Sequence, residues 1–208
     1  MPAKLDGGAT KGGAPRTIWF TSESDPRVVS VRSLAQDLAA DGRAAHLVWN
    51  PLDGDLVQMV AVTRAARLLG GEIACEGRVC VQIMVIGHSR DPFTGGPLKS
   101  LPSIIAWLDS WGVPRRWPAG PPLSTPMSYQ VVGSRRLWAR GGHFGCSQVP
   151  GSTRPDPGGI DIRKITGPET QLAEIPRTRI PAPQVLGRRV AARPLEPVPT
   201  PEPAHTRS

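Results

Sequence analysis

Between Gly142 and Gly158 the chain gathers an imidazole (His143), a thiol (Cys146), a guanidinium (Arg154) and a carboxylate (Asp156). A thiolate and a carboxylate can both hold zinc. A guanidinium is a permanent cation that stabilises an oxyanion but cannot shuttle protons. Other constellations are thinner. Gly87-His88-Ser89-Arg90-Asp91 begins like a hydrolase nucleophile elbow but lacks its closing Gly, and Pro92 to Pro97 cannot form the helix an elbow demands. The Gly-Gly pairs at 7–8, 12–13 and 70–71 lack the Lys-Ser/Thr of a P-loop and read as flexible links. Arg115, Arg116, Arg135, Arg136 and Arg140 with Trp117 and Trp138 read either as a basic, aromatic surface for nucleic acid or wall polymer, or as a solvated face.

The elements that must position these residues can be traced along the chain. Residues 1–15 are expected to be a flexible leader, and Arg16–Ser22 a buried first strand rich in β-branched and aromatic residues. Ser24 or Asp25 with Pro26 is expected to start a helix whose Val28, Val31, Leu34, Ala35 and Leu38 recur at helical spacing up to a stop at Gly42. Ala45–Trp49 and Asp55–Val60 flank an Asp-Gly turn and read as a hairpin. A short helix is expected over Thr63–Leu69, and a central strand, covered on both faces, over Arg78–Gly87. Leu101–Trp111 carries the stripe Ile104, Ile105, Leu108, Trp111 of a core-facing helix. Arg115–Thr125 is a Pro- and Trp-containing loop long enough to line a groove, and Arg135–Arg140 a short strand. Prolines from Pro168 to Pro203 interrupt regular structure, so 166–208 reads as a Pro/Arg-rich disordered tail behind one domain over 16–165. The fold class is α/β, a single mixed sheet with helices packed on it.

Three stretches resemble the zinc-dependent N-acetylmuramoyl-L-alanine amidases and the peptidoglycan recognition proteins that share their fold, over roughly residues 16 to 163. Ile18-Trp19-Phe20-Thr21-Ser22-Glu23-Ser24 is similar to the family's first strand, where a His commonly supplies a zinc ligand; Phe20 stands there. His46 to Pro51 with Gly54 to Gln58 resembles its hairpin. Cys146 to Gly158 resembles the closing motif, with Cys146 at the second His ligand, Arg154 at a Lys or His, and Asp156 at an Asp or Cys ligand. Arg78–Gly87 resembles the central strand, with Met84 where many members carry Glu.

In such enzymes the metal lowers the pKa of a bound water, and a nearby donor stabilises the oxyanion of the attacked amide. The resemblance therefore implies metal positions at Phe20, Cys146 and Asp156, with Arg154 at the oxyanion stabiliser. Phe20 has no lone pair, so the zinc of the family is expected to be weak or absent. His143 is a conceivable replacement ligand, although residues three apart on a strand face oppositely; its other reading is a surface or groove histidine. Cys146 reads equally as a small buried apolar residue. His46 is expected on the cleft floor, hydrogen-bonded rather than acting as a base, and Trp117, Arg135 and Arg136 are candidates for contacting substrate.

Charge and composition bound the partners. A net charge of +8 admits anionic wall polymers, membrane surfaces or nucleic acid, while an Arg-dominated basicity alongside abundant Ala, Gly and Pro is also what a GC-rich genome produces. An odd cysteine count without a dense framework argues for a reducing compartment. Met1 to Thr17 lacks a signal peptide's apolar stretch, so the chain is expected to be cytoplasmic as made and to reach a wall by lysis or another non-classical route. Three functions follow: an amidase-like domain that binds peptidoglycan without cutting it, an active zinc amidase, or a basic nucleic-acid or partner-binding protein on the same scaffold.

Overall fold

The computed structural model describes residues 5–124 and 133–168, all within one compact unit. Residues 169–208, most of the expected tail, lie outside the described residues. The core element is β1 (Arg16–Thr21), buried at all six positions. It lies between two parallel neighbours, β4 (Cys80–Val85) and β5 (Gly142–Gly145). A strand paired on both edges and covered on both faces has no use for polar alternation, which is why β1 carries Ile18, Trp19 and Phe20 in succession and β4 is apolar but for Gln82. β2 (Leu47–Trp49) pairs parallel with β4, and β3 (Leu56–Gln58) returns antiparallel beside β2. The result is one mixed five-stranded sheet in the order β3-β2-β4-β1-β5.

Alternation along β1 assigns the two faces. Ile18 and Phe20 point to a core shared with Met84, Phe144, Cys146 and the Val31, Ala35 and Leu38 stripe of α1 (Val31–Ala40). Trp19 points the other way, into a core with Ile83, Val85 and the Leu101, Ile104, Ile105 and Leu108 face of α2 (Leu101–Ser110). There Trp19, Trp49 and Phe93 meet at centroid distances of 5.9–6.3 Å, in the range where ring pairs add to plain area burial. No described helix is long and apolar enough to cross a membrane.

Several local expectations change. α1 begins at Val31 rather than after Asp25, because Ser30 is the residue whose hydroxyl accepts from Ser33 N at 3.1 Å. Thr63–Leu69 forms turns and no helix; Gly7 N donates to Ala65 O and Ala65 N to Gly8 O, so the leader takes up its backbone groups. Residues 5–15, expected to be flexible, carry further ties: Lys11 N to Cys75 O, and an ion pair from Asp6 to Arg64 at 2.8 Å. Arg135–Trp138 is a helical turn, α3, not a strand, capped by Ser134. α4 (Ile162–Thr166) closes the described chain and runs into the region expected to be tail.

Candidate functional site

β1 and β5 run parallel, with Trp19 opposite Gly145. One residue further, that register sets Phe20 beside Cys146, the first residue of a 3-10 turn over Cys146–Gln148. The loop that follows folds back so that Ser147 N donates to the Asp156 carbonyl at 2.8 Å. Gly158 makes this return possible, since it has φ +75° and any Cβ there would collide with the Ser89 carbonyl. Phe20, Cys146, Arg154 and Asp156 are thereby brought to one place at the carboxyl end of β1.

Their contacts are specific. Arg154 Nε donates to Asp156 Oδ1 at 2.9 Å, while Thr21 N donates to Oδ2 at 3.3 Å. The Arg154 guanidinium also lies 5.4 Å from the centre of the Phe20 ring, within cation–π range. Phe20 and Cys146 are wholly buried and Asp156 is 2% exposed, whereas a third of the Arg154 side chain reaches solvent. Burial raises the Asp156 pKa and Arg154 pulls it back; Arg154's own pKa ends raised by Asp156 and Cys146 despite burial. Burial, reinforced by the Asp156 charge, pushes the Cys146 thiol up to about 12, and its sulfur sits 3.4 Å from Ser152 Oγ. This is a closed, neutralised cluster: one cation, one carboxylate, a thiol and a benzene ring.

The other predicted residues are elsewhere. His143 projects from the opposite face of β5, between Trp19 and Trp117 at centroid distances of 6.0 and 5.9 Å. Its Nδ1 accepts from Trp19 Nε1 at 3.2 Å, and burial lowers its pKa to about 3. A replacement ligand role fails because the sheet separates it from Cys146 and Asp156, and it is not a surface histidine either. His46 is also fully buried, with burial lowering its pKa to about 4. Its Nδ1 accepts from Gln82 N and its Nε2 donates to Arg64 O, so both ring nitrogens are spent on backbone.

Trp117 is 6% exposed and donates to Gln148 Oε1 at 2.6 Å, so it belongs to the interior rather than to a groove surface. Arg135 pairs with Glu76 at 2.7 Å, and Arg136 is exposed on α3. The three do not form one substrate surface.

Two groupings were missed in the sequence. Arg16, almost fully buried, lies 4.2 Å over the Trp138 ring with Glu76 3.6 Å away; a charged residue opening an apolar strand was the available signal. Glu23 accepts from Thr21 Oγ1 and from Ser89 N and stands 3.8 Å from His88, which ties the elbow-like segment to β1. Among the described residues, no group of three or more His, Cys, Asp or Glu side chains is placed to hold a metal. No family model, curated protein or solved structure matches the chain.

Proposed function

We propose that this chain is an amidase-like domain that binds cell-wall peptidoglycan and has lost hydrolysis. The juxtaposition of Phe20, Cys146 and Asp156 supports the ancestry, because residues far apart in sequence converge where the resemblance puts the metal ligands. The buried Phe20 ring supports the loss most directly. It occupies the place of an imidazole and offers no lone pair.

The remaining donors do not fit zinc either. Asp156 has one oxygen on Arg154 and the other on Thr21 N, so a metal would have to displace a cation already in place. Of the three positions that leaves Cys146, whose thiol already shares a hydrogen bond with Ser152 Oγ, and one ligand does not hold zinc. No water-activating step follows from these residues. Neither nitrogen of His46 is free to act as a base.

Against a nucleic-acid reading, Trp117 and Trp138, the rings interleaved with the arginines, are 6% and 1% exposed and present no face for base stacking. The test is co-sedimentation with peptidoglycan sacculi, scored in one sample for retained protein and for released stem peptide.

A further inference from the structure

A second region carries chemistry that the closed Phe20 cluster does not use. Between the segment after α2 and helix α4 lies a cleft of about 560 Å³, within the size range of small-molecule sites. Its walls carry Arg115 and Arg116 on one side and Arg163 on the other, with Trp117 and Ile160 among its lining. Of these arginines, only Arg115 is neutralised among the described residues, by a two-pronged pair with Asp109. Arg116 donates to the Arg140 carbonyl and its Nε is buried without an acceptor; among the described residues neither it nor Arg163 has a carboxylate partner. The one carboxylate lining the cleft, Asp161, accepts from Arg163 N as the cap of α4.

We propose that this cleft is a subsite for the phosphodiester group of an anionic wall polymer, a proposal that rests on the wall-binding reading above. Arginines line two separate walls. A phosphodiester polymer repeats its anionic group along the chain, so arginines on two walls can each meet a charge, whereas an isolated carboxylate offers one. A polyanion rather than a single small ion suits a cleft set in a chain of net charge +8. Nucleic acid has the same phosphate but lacks its usual second anchor here, because Trp117 is buried in its stack with His143.

The experiment titrates the full chain with soluble poly(glycerol phosphate), and separately with sacculi stripped of anionic polymer. Arg163→Gln, exposed on α4, is expected to weaken polymer binding about tenfold, the effect of one charge-assisted contact. Arg32→Gln, an exposed arginine on α1, is the charge-matched control and should leave affinity within about twofold. Equal losses in the two variants would overturn the site. A single-stranded oligonucleotide bound as tightly, and as dependent on Arg163, would reassign the cleft to nucleic acid. Retention on stripped sacculi with no polymer binding would sink this subsite and leave the wall-binding reading standing; failure of both would remove both.

Discussion

Replacing Arg154 by Met removes, among the described residues, the one cation paired with the buried Asp156 carboxylate while keeping an aliphatic stem against Phe20. Asp156 is 2% exposed and would keep only backbone donors, among them Thr21 N at 3.3 Å. Breaking one partner of a buried pair costs about 3–5 kcal/mol. Arg154 is one-third exposed, so water can enter where the guanidinium was, and the expected loss falls to about 2–3 kcal/mol. In urea that is a midpoint shift of about 1–2 M for a domain of this size.

The reverse change, Asp156→Asn, should cost less, about 1 kcal/mol, because the guanidinium can turn to solvent. The sign of the pH effect follows from burial. Burial raises the folded pKa of Asp156 and Arg154 holds it back, so the Met variant raises it further. A raised folded pKa gives stability that is present at low pH and lost as pH rises through it. The deficit of Arg154→Met is therefore full at neutral pH and shrinks as pH falls through the variant's folded pKa. A variant within about 0.5 kcal/mol of the parent at neutral pH, or Asp156→Asn costing more than Arg154→Met, would refute the reasoning.

His46 and His143 are buried neutral, with pKa values of about 4 and about 3 against 6.5 in the unfolded chain, so the unfolded state takes up their protons first. Stability is full only well above pH 6.5 and should fall by about 2 kcal/mol per pH unit between about pH 6 and 5, the slope roughly halving in His143→Phe; a flat profile there would contradict the burial of both rings. The triple variant Phe20→His, Cys146→His, Arg154→Ala is expected to bind one zinc per folded chain by direct metal analysis, where the parent binds none. A folded triple variant that ignores zinc would show that the three positions do not surround a metal-sized space.

The sheet was legible because its two central strands are built around apolar runs, Ile18-Trp19-Phe20 and a β4 broken only by Gln82, and the Asp-Gly at 53–54 marks the hairpin: Gly54 has φ +90° and its N–H closes the turn on Asn50. The local helix and strand assignments failed where distant partners decide. Thr63–Leu69 has a helix-like composition, but its backbone groups are claimed by residues 7 and 8. Arg135–Trp138 turns into a helix because Ser134 caps it and Trp138 docks on Glu76 and Arg16.

At the site, the Phe20–Cys146–Asp156 grouping was expected only from the family resemblance, since 125 residues separate Phe20 from Cys146 and no local spacing joins them. The interior position of His143 could not be read at all, because its hydrogen-bond partner Trp19 is 124 residues away. Nothing local distinguishes a histidine between two buried indoles from one in an open groove. The arginines misled in the same way. Trp117 and Trp138 alternate with them in sequence but turn inward, leaving basic side chains without aromatic faces.

The most direct test of a wall-binding domain without hydrolysis is one incubation with purified sacculi in the presence of zinc. The pellet is assayed for the protein and the supernatant for stem peptides carrying a new free L-alanine amino terminus. The protein is predicted in the pellet, with the supernatant no richer in peptide than a buffer control. Peptide released in proportion to added protein would contradict the loss of hydrolysis, and protein left in the supernatant would contradict the binding.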